Sequence, residues 1–297
     1  MPFIETHDGA ELYYTDLGSG QPIVLIHGWP FNGDMWEKQS TWLAENGFRT
    51  ITYDRRGFGR SEQTWAGYDY DSLAEDLKSL MDELDLKNAV LVGFSMGGGE
   101  VVRYLSSFGK ERVAKAVLIS AVPPYLLKTA DNPDGVDEKV FADIEEDIRK
   151  DRPNFLKSFV PKFYGRSALK HTVSEAVLEW SQAMGMTGSL RATLETAHSW
   201  ATTDFRSEME RIHVPVRIIH GTSDATVPIN ASSRRSLEIL PNATLSEYEG
   251  EPHGLFLTAS DRLNEELLEF ISGRPTEEKE DIAVPLASYL AATPAGS

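Results

Sequence analysis

The chain has 297 residues, 41% of them hydrophobic, a formal net charge of -17 and no cysteine. That length supports one large core, or at most two small ones, and the missing thiols exclude disulfides, thiolate metal sites and a cysteine nucleophile. So acidic a surface repels phosphate backbones and anionic lipid, which argues against nucleic-acid and membrane partners.

The opening MPFIETHDGA has no basic stretch followed by an apolar one, so the expectation is a cytoplasmic protein without a secretory leader. Short apolar, β-branched runs then recur: PIVLIHG (22–28), RTITYD (49–54), AVLVGF (89–94), AVLISA (116–121) and PVRIIHG (215–221). Continuous apolar character predicts strands buried on both faces of a mostly parallel sheet. Between the second and third runs, Leu73, Leu77, Leu80, Met81 and Leu84 recur at helical spacing with acids on the other face. From 123 to about 210 no strand pattern appears, and four charged and aromatic stretches predict a helical cap inserted over the sheet. A short strand, ATLSEYE, and a helix, RLNEELLEFI, complete a domain of residues 1–272. Residues 273–297, acidic and then rich in Ala and Pro, read as an appended, partly disordered tail. The alternation of strands and helices makes the class α/β.

Gly93-Phe94-Ser95-Met96-Gly97 matches the G-x-S-x-G nucleophile elbow, after a predicted strand and before a predicted helix. The tight turn presents the Ser95 hydroxyl at the sheet edge, and Gly97, Gly98 and Gly99 are expected to let the helix lie close to neighbouring strands. Of seven histidines, His253 in EPHGLF follows the short strand and is the expected base. His27 and His220 end buried strands and read as structural. Asp224 in HGTSDATVP follows a strand and is the expected orienting carboxylate; Asp204, with no strand before it, is the weaker alternative. The order Ser95, Asp224, His253 is that of an α/β-hydrolase triad. The oxyanion donors are expected to be the N–H groups of Met96 and of Trp29 in His27-Gly28-Trp29-Pro30. Phe31, Phe94 and Phe256, with Pro30, are the candidate walls of a substrate pocket. No metal-ligand spacing appears.

HGWP, DRRGFGRS, GFSMGGGE, GTSDATVP and PHG together resemble the cofactor-free bacterial haloperoxidases, also called perhydrolases or aryl esterases. The resemblance spans about residues 1–272. It implies an α/β-hydrolase fold with a helical cap and a serine esterase that needs no haem, metal or other cofactor. It also implies peracid formation from hydrogen peroxide and a carboxylic acid or ester, the peracid then oxidising halide. The Trp29 and Met96 roles agree with that family. Two other readings use the same residues: a lactone, amide or carbon–carbon bond hydrolase, and a ligand-binding receptor with a slow or silent triad. Oligomeric state, including a homo-oligomer, is open at this level. A further expectation concerns Pro30, which disfavours the helical region for Trp29 and so directs the Trp29 carbonyl, an acceptor for the second O–H of peroxide.

Overall fold

A computed structural model describes residues 2–273; the tail expected after Gly273 lies outside the described residues. The strands are β1 (Phe3–Glu5), β2 (Glu11–Gly18), β3 (Pro22–Ile26), β4 (Arg49–Tyr53), β5 (Ala89–Phe94), β6 (Val113–Ile119), β7 (Val216–Gly221) and β8 (Ala243–Tyr248). They form one sheet in the order β1-β2-β4-β3-β5-β6-β7-β8. Only β2 pairs antiparallel, with β1 and β4. The central β5 is buried at every residue, as an all-apolar run between two helical layers should be.

The helices are α1 (Glu37–Glu45), α2 (Tyr70–Glu83), α3 (Met96–Phe108), α4 (Glu138–Phe163), α5 (Glu175–Met186), α6 (Leu190–Thr202), α7 (Arg206–Met209), α8 (Ser233–Ile239), α9 (Leu255–Thr258) and α10 (Ser260–Ser272). Asp69 caps α2, its carboxylate accepting the Ser72 N–H at 2.9 Å, and Leu73, Leu77, Leu80 and Met81 are buried. The helix stops before Leu84, which is only half-buried.

Sequence patterning missed β1 and β2. Both lie at the sheet margin, and β2 has a single fully buried residue, Leu12, so no apolar run betrays it. β6 starts three residues before the apolar run because Lys115 enters the strand. Its ammonium donates to the Phe270 and Ile271 carbonyls at 2.7 and 3.0 Å, at the end of α10.

Four helices, α4 to α7, connect β6 to β7. The backbone breaks at Asp151 (φ -161°, ψ 82°) within α4, and the Asp151 carboxylate caps the second half by accepting the Asn154 N–H at 3.1 Å. α4 is therefore two helices end to end. Phe155 and Phe159 of α4 and Trp200 of α6 pack on the Trp29 ring, with centroids 5.6–5.9 Å apart. These helices thus close over the carboxyl end of β3. α7 is tied to α3, where Glu208 pairs with Arg103 at 2.7 Å.

The elbow joins β5 to α3. Ser95 has φ 53° and ψ -119°, a region costly for a residue with a Cβ, by about 1–3 kcal/mol. A Cβ on Gly97 would lie 2.6 Å from the Ile26 carbonyl of β3, so α3 can approach the sheet only through glycine there. The neighbouring glycines work differently from expectation. Gly98 faces Ala121 beyond β6, and Gly99 faces the Tyr70 ring of α2.

Gly97→Ala should lower stability by about 1–3 kcal/mol despite alanine's better helix propensity, because the backbone must shift to admit the methyl group. At about 2–4 °C per kcal/mol for a domain of this size, calorimetry should record a Tm loss of several degrees. An unchanged Tm would mean that α3 moves freely against β3.

Candidate active site

Three loops bring the hydrolytic groups together. Ser95 follows β5, Asp224 follows β7 and His253 follows β8, and His253 Nε2 lies 3.0 Å from Ser95 Oγ. The other ring nitrogen, Nδ1, lies 2.6 Å from Asp224 Oδ2. A carboxylate only accepts, so Nδ1 carries the hydrogen and Nε2 is left to accept from the serine hydroxyl. Ser95, Asp224 and His253 are 6%, 7% and 1% exposed.

Asp224 is held by four groups. Its Oδ1 accepts the Thr226 and Val227 N–H groups at 2.9 and 2.8 Å. Its Oδ2 faces His253 and also His220 Nε2, 3.1 Å away. Burial works against the charge, but His253 and His220 outweigh it and hold the carboxyl well below the usual carboxylate range. His220 is thus more than a strand-end filler. Its Nε2 also lies 2.9 Å from the Val227 carbonyl, so that nitrogen donates, while Nδ1 meets Ser233 Oγ at 2.6 Å. The signal was present in the sequence: His220 ends β7 four residues before Asp224.

The oxyanion candidates are backbone groups. Met96 is the first residue of α3, whose N–H has no acceptor four residues back, and the positive end of the helix favours anionic charge there. The Trp29 N–H has no acceptor among the described residues. A Cβ on Gly28 would lie 2.5 Å from the Phe94 ring and 3.1 Å from Ser95 Cβ, so glycine is what lets this loop reach the nucleophile. The Trp29–Pro30 peptide is cis.

A cavity of about 200 Å³ opens above Ser95. Its wall is Trp29, Val122, Val136, Val140, Phe141, Ile144, Phe159, Lys162, Trp200, Ala225, Thr226 and Val227. The candidate wall residues from sequence are not among these. Phe31, Phe94 and Phe256 are fully buried, and Phe94 packs on the His253 ring at 4.9 Å. Phe163 flanks the same imidazole edge-on at 4.9 Å, and Phe31 and Phe256 buttress these rings. Together these rings pack around the His253 imidazole. Pro30 is also buried and does not line the cavity. Most of the actual wall comes from the cap, where helical spacing says nothing about which face looks down on Ser95.

The remaining sequence candidates lie elsewhere. Asp204 pairs with Arg206 at 2.7 Å, while His7, His171, His198 and His213 are exposed. One trio among the described residues, His7, Asp8 and Asp76, has the proximity to hold a metal ion. Both of its carboxylates are already bonded to Arg56, at 2.9 and 2.6 Å, so a guanidinium fills the role of a cation there. Among the described residues no helix is long and apolar enough to cross a membrane.

Residues 21–260 match the family model of the alpha/beta hydrolase fold. A non-heme chloroperoxidase of Kitasatospora aureofaciens is 39% identical over 92% of this chain and 100% of its own length. A bifunctional esterase/perhydrolase of Acinetobacter calcoaceticus is 41% identical over 91% of this chain and 99% of its own. The solved structure of a bromoperoxidase from Bacillus anthracis superposes with a TM-score of 0.89 at 42% identity, covering 91% of this chain and 99% of that one. The chain belongs to the α/β-hydrolase fold family and, within it, to the non-heme haloperoxidases and perhydrolases.

Proposed function

We propose that the chain is a serine esterase that also forms peracids, and that Ser95, His253 and Asp224 carry both reactions. The observation that supports this most is the continuous hydrogen-bonded chain from Ser95 through His253 to Asp224 at the floor of an apolar cavity. Ser95 Oγ attacks the ester carbonyl carbon as His253 Nε2 takes the hydroxyl proton. The carbonyl oxygen becomes an oxyanion facing the Trp29 and Met96 N–H groups. Collapse of the intermediate expels the alcohol, which leaves with the proton from His253. The acyl-enzyme is then attacked by water or by hydrogen peroxide, His253 again taking the proton. Collapse returns that proton to Ser95 and releases a carboxylic acid or a peracid. Outside the protein the peracid transfers one oxygen to halide, giving hypohalous acid and the carboxylate. The chemistry draws on no cofactor. A cavity smaller than the roughly 300–1,000 Å³ of drug-sized sites suits esters of small acids.

Replacing Ser95 or His253 with alanine should cut ester hydrolysis by several orders of magnitude while the fold survives. Asp224→Asn should lower kcat on the order of 10⁴-fold, because an amide can donate to Nδ1 and so favour the wrong tautomer. The check is p-nitrophenyl acetate turnover on purified variants with circular dichroism alongside. Near wild-type turnover in any of them would reject its assigned role, and no turnover in the wild type would favour a ligand-binding receptor.

Both activities should withstand exhaustive chelation, and halide oxidation should scale with the carboxylic acid in the buffer. Halide oxidised at full rate without any carboxylic acid or ester would rule out a peracid as the oxidant.

Pro30 is proposed to bias the acyl-enzyme toward peroxide. By restricting Trp29 it directs the Trp29 carbonyl, and an acceptor within reach of the second O–H of peroxide would act only in that transition state. One such bond is worth on the order of 1 kcal/mol, or several-fold in rate. Pro30→Leu should therefore lower the ratio of peracid to acid formed from one acyl-enzyme at fixed peroxide, with ester hydrolysis largely kept. An unaltered ratio would leave Pro30 a loop-shaping role alone.

A further inference from the structure

Behind the elbow lies a buried polar network that the steps above do not use: His27, Arg55, Tyr53 and Glu100, each at most 1% exposed. Hydrogen positions in it follow from the donors. The Arg55 backbone N–H lies 2.9 Å from His27 Nε2, and an amide nitrogen only donates, so Nε2 is the bare acceptor. Burial and the adjacent Arg55 charge hold the His27 pKa well below its usual value, so the ring is neutral and its one hydrogen sits on Nδ1. Nδ1–H then donates to the Gly28 carbonyl at 3.0 Å, and the longer approach of Arg55 Nη1 to Nδ1, 3.3 Å, sets donor against donor and is no hydrogen bond. The Phe31 N–H donates to the same oxygen at 3.1 Å.

The Gly28 carbonyl and the Trp29 N–H belong to one peptide unit. That unit is not among the cis bonds of the chain, and in a planar trans peptide the C=O and N–H point in opposite directions. Two hydrogen bonds pinning the carbonyl therefore fix the direction of the Trp29 N–H. Arg55 carries the constraint further. Its Nη2 donates to the His27 carbonyl at 2.7 Å, and its Nε donates to Glu100 Oε1 at 2.6 Å. Glu100 stands on α3, the helix that begins with Met96, and Tyr53 of β4 donates to its Oε2 at 2.6 Å. One buried guanidinium thus joins the two segments that present the Trp29 and Met96 N–H groups.

We propose that His27 is a positioning residue for the oxyanion hole, orienting the Gly28–Trp29 peptide through Nδ1, and that the Arg55–Glu100 pair fixes that loop against α3. The inference rests on the reading of Ser95 as nucleophile with Trp29 and Met96 as donors. A network that only holds strands together would affect melting and spare the transition state; a positioning network weakens transition-state binding selectively.

The test compares wild type, Ser95→Ala, His27→Leu and the isosteric Glu100→Gln. Three quantities are measured: kcat/KM for p-nitrophenyl acetate, the affinity of a trifluoromethyl ketone that adds to serine as an oxyanion, and the affinity of the matching carbinol, which cannot. His27→Leu should lower kcat/KM on the order of 10-fold to 10²-fold, below the loss expected for deleting a donor outright. Ketone affinity should fall by the same factor and carbinol affinity by less than about twofold, the signature of an interaction made in the transition state. Equal losses for ketone and carbinol, or kcat/KM within about twofold of wild type, would overturn the proposal. If His27→Leu does not fold, Glu100→Gln decides by the same comparison, with a smaller loss expected. Turnover retained in Ser95→Ala would instead reject the underlying reading of the site, whereas loss in Ser95→Ala with none in the network variants rejects this inference alone.

Discussion

The constraint on which the site depends is the parallel direction of β3, β5, β6, β7 and β8. Parallel neighbours end on the same edge, so the loops leaving β3, β5, β7 and β8 all open toward one place. Trp29, Ser95, Asp224 and His253 come from those four loops, although some 220 positions separate the first from the last. Antiparallel pairing at any of these steps would have sent one group to the opposite edge. The sheet admits antiparallel strands only at the β1–β2 margin, away from every residue of the site.

Such an edge is apolar in its walls and crowded with ionisable groups in its floor, and each buried charge there is matched. Asp224 takes two amide donors on one oxygen and two imidazoles on the other. Its folded pKa is depressed, so its contribution to stability is complete above the ordinary carboxylate range and is lost as pH falls through the depressed value. At neutral pH it stays ionised, which keeps the hydrogen on His253 Nδ1 and leaves Nε2 to accept from Ser95 Oγ. Arg55 and Glu100 are also fully buried. A buried pair of this kind is often no more stable than well-packed apolar residues would be, yet removing one partner costs about 3–5 kcal/mol. What the pair supplies here is direction, because guanidinium and carboxylate bonds have fixed angles and apolar contacts do not.

How far the sequence reveals this arrangement varies with the kind of interaction. The apolar runs of β3, β4, β5 and β7 locate themselves, because burial on both faces demands an unbroken pattern. Ser95 and Asp224 each sit just past such a strand, His253 follows the half-exposed β8, and the structure brings the three side chains into one hydrogen-bonded chain. β2 is not legible, because a marginal strand exposed on one side carries Tyr, Thr and Asp where a core strand carries Val and Ile. The cavity wall is illegible for another reason. Phe141, Ile144 and Phe159 occupy helices whose apolar faces serve both packing and lining, and the Asp151 break sets the angle between the two halves of α4. Phe94 and Phe256, expected as pocket walls, are fully buried: the Phe94 ring packs on the His253 imidazole and Phe256 packs on Phe94.

The same walls bear on the choice between water and peroxide. Both nucleophiles are small and polar, and the apolar part of the wall, all but Lys162 and Thr226 of the lining beyond Ser95, offers neither a hydrogen bond. His253 Nε2 accepts a proton from either. In the proposed mechanism the Trp29 and Met96 N–H groups bind the acyl oxygen and not the nucleophile. Discrimination in that mechanism comes from an acceptor placed to meet the O–H on the distal oxygen of peroxide, a position water does not reach. In the proposed mechanism that acceptor lies on the 27–30 loop, on the peptide unit next to the one that His27 pins. Oxyanion binding and choice of nucleophile then share one loop, held from behind by Arg55 and set against α3. A change in that loop can shift the product from acid to peracid with the triad untouched, and a change in the triad reduces both reactions together.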